Sequence, residues 1–127
     1  MPIKERKILI VDDRWSVRHS ISLYLRRQGF QVETTSCAEH ALLKLNEYQY
    51  DVLLTDVRMP QVNGFVLATI VRELHPNIKI IFMSDYSFDE VKNKYRQLIK
   101  YPQLTKPFKM KQLFKLINLE ETHLTTN

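Results

Sequence analysis

One cysteine, Cys37, stands in a chain of 127 residues, so no internal disulfide and no cysteine-based metal cluster can form. That usage fits a reduced, cytoplasmic setting. Behind the basic start Met1–Lys7 the apolar run Ile8–Val11 is only four residues long. It is too short for a signal-peptide core or a membrane span, which predicts a soluble intracellular protein with no membrane partner. The histidines, His19, His40, His75 and His123, are scattered without the spacing of metal ligands. No internal repeat, low-complexity tract or linker interrupts the chain. Acidic residues are missing from Val91 to Leu119, where Lys92, Lys94, Arg96, Lys100, Lys106, Lys109, Lys111 and Lys115 all carry positive charge. Three readings of that stretch stay open: a solvated face, a docking surface for an acidic partner, or a nucleic-acid contact. No recognised nucleic-acid motif accompanies the charge, so direct nucleic-acid binding is not expected of this chain.

What is present fits one folded domain over 1–127, with a core from about 6 to 120 and short tails. The composition, 44% hydrophobic and 26% charged with a net charge of +5, is that of an ordinary globular domain. Apolar runs alternate with amphipathic segments. Lys7–Val11, Phe30–Thr35, Asp51–Thr55, Lys79–Met83 and Gln103–Thr105 read as strands. Between them, Arg14–Gln28 carries Val17, Ile21, Tyr24 and Leu25 at helical spacing, and Gly29 supplies a stop. Ser36 is placed to cap a helix whose apolar side is Ala38, Ala41, Leu42 and Leu45. A turn-rich loop, Met59–Gly64, leads into a helix that ends before His75-Pro76. A helix from about Phe88 to Lys100 and a last one from Lys109 to Leu119, with Leu113, Phe114 and Ile117 buried, complete the pattern. Five βα units predict an α/β fold: a (βα)5 doubly wound, five-stranded parallel sheet with helices on both faces.

In such a sheet ligands bind beyond the carboxyl ends of the strands. Asp12 and Asp13 follow the first strand, Asp56 the third, Ser84 the fourth, and Lys106-Pro107 the fifth. Three carboxylates at one edge repel one another unless a cation lies between them. An oxygen-only set selects a hard divalent ion, Mg²⁺ first and Mn²⁺ as an alternative. A lysine and a hydroxyl beside them suit the neutralisation of a phosphoryl group in transfer.

The segments Asp12-Asp13-Arg14, Thr55–Phe65 (TDVRMPQVNGF), Met83-Ser84 and Thr105–Phe108 (TKPF) resemble the receiver domains of bacterial response regulators, the CheY-like family of two-component signalling. The likeness runs through essentially the whole chain. It implies a flavodoxin-like strand order 2-1-3-4-5 and a phospho-acceptor domain, not an enzyme, that catalyses its own phosphorylation and slow dephosphorylation. Asp56 would receive the phosphoryl group from a sensor histidine kinase or phosphotransfer protein. Asp13 would bind Mg²⁺ directly, Asp12 largely through water, and Asp56 and the backbone carbonyl of Arg58 would complete the protein ligands. Lys106 would contact the phosphoryl oxygens, with a cis bond to Pro107, and Ser84 would be the switch hydroxyl. The surface of the helix at 88–100, the fifth strand and the last helix would then change for an output partner, and on the docking reading of the basic stretch that partner would have an acidic surface.

The sequence departs from the pattern in places. Gln103 stands where the family carries an aromatic residue, which leaves open whether Tyr101 takes its part. Asp85 replaces a small residue after Ser84, either capping the next helix or altering phosphoryl lifetime. Arg58 and Tyr86 fall at positions that modulate dephosphorylation in the family, and a bulky Tyr86 would either shield the acyl phosphate from water or be a surface aromatic with no kinetic part. Trp15 should lie on the rim of the acidic site, and Cys37 should be structural. Other functions fit less well. A phosphohydrolase of the haloacid-dehalogenase type needs its nucleophile in a DxD pattern after the first strand. A flavodoxin-like cofactor binder needs a Ser/Thr/Gly-rich loop there, where Asp12-Asp13 would repel a flavin phosphate. A pseudo-receiver acting as a phosphorylation-independent interaction module is the remaining alternative.

Overall fold

The computed structural model describes residues 6–59, 61–85 and 100–119. Five strands form one parallel sheet: β1 (Lys7–Val11), β2 (Gln31–Thr35), β3 (Val52–Asp56), β4 (Lys79–Ser84) and β5 (Gln103–Thr105). Their order is 2-1-3-4-5, as expected. Four helices are described: α1 (Trp15–Arg27), α2 (Ala38–Glu47), α3 (Gly64–Leu74) and α4 (Met110–Asn118). The helix expected over 88–100 lies outside the described residues, except that Lys100 is in a turn. Among the described residues no helix is long and apolar enough to cross a membrane.

The three central strands, β1, β3 and β4, are mostly apolar because both of their faces are covered, whereas the edge strands β2 and β5 are mainly polar. Side chains alternate between the faces with the period of two that a strand imposes. Leu9, Val11, Leu53, Ile80 and Phe82 pack with α2 and α3 through Ala41, Leu45, Phe65 and Val71. Ile8, Ile10, Leu54, Ile81, Met83 and Leu104 pack on the other side with α1 and α4 through Ile21, Leu25, Leu113 and Ile117. Burying each of the larger side chains contributes about 1.5–3 kcal/mol against the entropy of ordering the chain.

Local chemistry sets most element ends. α1 stops where Gly29 takes φ +97°, a conformation that needs no Cβ relief. α3 begins with Asn63 accepting the Val66 N–H at 2.9 Å. It ends where the His75 N–H returns to the Val71 carbonyl, one residue before Pro76.

Three expectations are corrected. Ser36 does not cap α2: Cys37 takes the N-cap position and no side chain bonds there. β3 begins at Val52, and Asp51 stands just before it, its backbone N–H donating to the Lys7 carbonyl and its carboxylate accepting the Lys7 N–H, each at 2.8 Å. Phe114 is half-buried, its ring edge-on to Phe30 at 6.2 Å, while Leu113 and Ile117 are the fully buried residues of α4, with Met110 and Leu116 packed beside them.

Candidate functional site

The strand order reverses between β2-β1 and β3-β4-β5, so a crevice opens outside the carboxyl ends of β1 and β3. Asp12 and Asp13 leave β1 there, and Asp56 is the last residue of β3. One carboxylate oxygen from each lies within 4.8 Å of the other two. Asp12 and Asp56 are buried, while Asp13 is exposed at the mouth. β5 brings Lys106 to the same point. Its Nζ donates to Asp12 Oδ2 at 2.7 Å and lies 3.5 Å from Asp56 Oδ1.

Backbone contacts hold this arrangement. The Arg14 N–H donates to Asp12 Oδ1 at 2.9 Å, and the Asp12 N–H reaches the Thr35 carbonyl at 3.2 Å. The Thr55 hydroxyl donates to the Asp56 carbonyl at 3.0 Å. Gly64 N–H donates to the Val57 carbonyl at 2.8 Å, folding the loop after β3 back on itself. A Cβ at Gly64 would stand 2.2 Å from the Asp56 carbonyl oxygen, so only glycine permits this approach. Ser84 ends β4, buried, with its carbonyl accepting the Lys106 N–H at 2.6 Å. The Lys106–Pro107 bond is cis.

Three acids against one lysine leave the site short of positive charge. Burial pushes the Asp56 carboxyl up from 3.8 to about 6; Lys106 pulls it down, and Asp12 and Asp13 add to the rise. A carboxyl in this position binds either a proton or a cation. The all-oxygen donor set, clustered within a few ångströms and half closed from water, fits a hard divalent ion.

The remaining expected residues are placed as follows. Arg58 follows β3 with its side chain exposed. Asp85 forms an ion pair with Arg14 at 3.1 Å. A helix beginning after Asp85, and Tyr86 itself, lie outside the described residues. Gln103 sits in β5 opposite Phe82, whereas the Tyr101 ring packs edge-on to Phe82 at 6.3 Å and joins the core on the α3 side. Trp15 is 65% exposed and stacks on His19 at 4.7 Å. Cys37 is half-buried as a free thiol. Sequence reasoning assigned no part to Arg14 or Gly64. The Asn63-Gly64 pair in a turn-rich loop was the only signal for the second, and nothing signalled the Arg14 ion pair, because Asp85 is 71 positions away.

A family profile, that of the response regulator receiver domain, matches residues 8–118. The chain is 33% identical over 122 residues to the DNA-binding transcriptional regulator NtrC of Proteus hauseri, covering 95% of this chain and 26% of the relative. This chain thus spans about a quarter of that relative's length. The structure resembles the chemotaxis protein CheY4 of Vibrio cholerae, with TM-score 0.81 and 31% identity over 88% of this chain and 95% of that one. It also resembles the response regulator protein TrrA of Thermotoga maritima, solved in complex with Mg²⁺-BeF, with TM-score 0.79 and 25% identity over 94% and 98% of the two chains.

Proposed function

The chain belongs to the family of response regulator receiver domains, and from that premise we propose that Asp56 accepts a phosphoryl group in a reaction that requires Mg²⁺ or Mn²⁺. The donor is a phosphohistidine on a sensor histidine kinase or phosphotransfer protein, or a small acyl phosphate. A carboxylate oxygen of Asp56 bonds to phosphorus as the donor's bond to it breaks. In phosphohistidine that is a phosphorus–nitrogen bond, and the leaving imidazole takes a proton from water; in an acyl phosphate it is a phosphorus–oxygen bond, and the acyl part leaves as a carboxylate. Hydrolysis of the acyl phosphate returns the carboxylate and inorganic phosphate.

The observation that carries this reading is the Lys106 ammonium set against two of three clustered carboxylates, 2.7 Å from Asp12 and 3.5 Å from Asp56. Asp12, Asp13, Asp56 and the Arg58 carbonyl would hold the ion, which when bound offsets charge on the carboxylates and on the transferring oxygens. Lys106 neutralises the incoming phosphoryl group from the β5 side. Ser84 donates its hydroxyl to that group, and Tyr86 shields it from water. A phosphoryl group adds about −1.5 to −2 of charge, enough to bias a two-state surface around β5 and α4. Lys109, Lys111 and Lys115 on α4 are exposed there. They suit an output partner with an acidic surface in a cytoplasmic setting.

Intact-mass analysis after incubation with acetyl phosphate tests this, with and without Mg²⁺ and beside Asp56→Asn. One added phosphoryl group that needs both Mg²⁺ and Asp56 is the expected result. A folded protein that takes no adduct would instead be a phosphorylation-independent interaction module.

A further inference from the structure

Arg14 and Asp85 are 71 positions apart in the chain, yet they meet beside the acidic crevice. The Arg14 guanidinium donates to Asp85 Oδ2 at 3.1 Å, with both side chains open to water. The same Arg14 gives its backbone N–H to Asp12, the most deeply buried carboxylate of the site. Asp85 directly follows Ser84, whose carbonyl is tied to the Lys106 N–H. Arg14, Asp85 and Lys106 also line one cleft, together with Val17, Ile21 and Phe108. One residue therefore joins the acidic edge of β1 to the end of β4, where Ser84 stands.

We infer that Arg14 is a positioning residue whose ion pair with Asp85 acts as a latch. It tethers the Ser84–Asp85 end of β4 in its unphosphorylated place and opposes the inward movement of Ser84 toward a phosphoryl group on Asp56. The inference rests on the phospho-acceptor reading above. Inward movement of Ser84 carries Asp85 with it, so the pair must lengthen or the Arg14 side chain must rearrange, while the Arg14 backbone stays bonded to Asp12. An exposed pair of this kind biases a two-state equilibrium by about two- to fivefold. The latch thus sets how completely a phosphorylated chain switches, and it leaves the acceptor chemistry to Asp56 and Lys106.

A rival account is simple field action of two charges on the incoming dianion. The two make opposite forecasts. Through space, removing the arginine and removing the aspartate act in opposite directions and add. Through a latch, they act in the same direction and do not add.

The experiment compares the wild type, Arg14→Gln, Asp85→Asn, the double variant and the charge-swapped Arg14→Asp/Asp85→Arg. Each is treated with acetyl phosphate and Mg²⁺, with the adduct counted by intact mass and the switched fraction read from the Ser84 amide chemical shift. Each single variant is expected to raise the ratio of switched to unswitched phosphoprotein two- to fivefold. The double variant should go no further, and the charge swap should return toward wild type. Salt at about 0.5 M should raise the wild-type ratio and leave the single variants unmoved. Opposite, additive or absent effects on a protein that carries its adduct overturn the latch alone. No adduct on wild-type Asp56 overturns the phospho-acceptor reading, and the latch falls with it.

Discussion

At the amino-terminal end of the sheet, the buried Lys79 ammonium donates to the carbonyls of Ile117 and Leu119, and Arg6 donates to the Ile117 carbonyl at 2.6 Å. Both cations meet the negative end of the α4 dipole, and Asp51 meets the Lys7 N–H. At the carboxyl-terminal end, Asp12, Asp13 and Asp56 crowd around the one ammonium of Lys106. Charges at the first end have found fixed backbone partners and close the fold. Those at the second are held in company that the fold alone does not satisfy. Such an excess of one charge in a crevice is what marks it as a candidate functional site. The two ends also differ in what a substitution removes: a bond at one, a repulsion at the other.

The largest effect is expected where the acidic end depends on backbone packing. Gly64→Ala would drive a Cβ to 2.2 Å from the Asp56 carbonyl and 3.0 Å from the Val57 Cα, neither of which is the end of a flexible side chain. A loss upward of about 3 kcal/mol in urea unfolding is expected, with a disturbed Asp56 environment. A loss below about 1 kcal/mol would mean the loop after β3 gives way freely.

Asp56→Asn should move stability the other way. The folded carboxyl titrates at about 6 against 3.8 for the free group, so it binds its proton more tightly when folded. The contribution of that proton to stability is full below about pH 4 and is lost as pH rises through about 6. A two-unit shift corresponds to about 3 kcal/mol at most, so in metal-free buffer the asparagine variant should exceed wild type by about 2 kcal/mol at neutral pH. Near pH 4 the two should be about equal, and Mg²⁺ should narrow the neutral gap. A pH-independent gap would show that Asp56 is not desolvated as its burial implies.

A smaller loss is expected at the opposite end. Lys79→Met keeps the stem of the side chain but strips the ammonium from the Ile117 and Leu119 carbonyls. About 1.5 kcal/mol should be lost, without dependence on Mg²⁺. Amide exchange of the last turn of α4 would locate it; an effect centred on the acidic site would erase the contrast between the two ends.

Much of this molecule was written in one dimension. The positions of β1, β3 and β4 follow from short apolar runs, because a strand covered on both faces tolerates few polar residues, and Gly29 marks the end of α1 for a purely local reason. The acids, the serine and the lysine were legible as site residues because each stands at the end of a run, and a parallel sheet brings all such ends to one edge. Local chemistry was ambiguous where neighbours compete. Ser36 has the right side chain for a cap, but the chain turns one residue later at Cys37, and Asp51 stands just before β3 with its carboxylate on the Lys7 N–H.

Only the tertiary structure decided which partner each charge found. Lys106 and Asp12 are 94 positions apart, Arg14 and Asp85 71, Lys79 and Ile117 38. No pattern within one segment encodes such pairings, since they depend on how the sheet twists and how the helices settle against it. The rise in the Asp56 carboxyl belongs to the same class, because desolvation is set by every element packed around it. Sequence alone determined that acids, a hydroxyl and a lysine would share an edge; packing decided that the acids would outnumber their cation there, and that Arg14 would bind the edge to the end of β4.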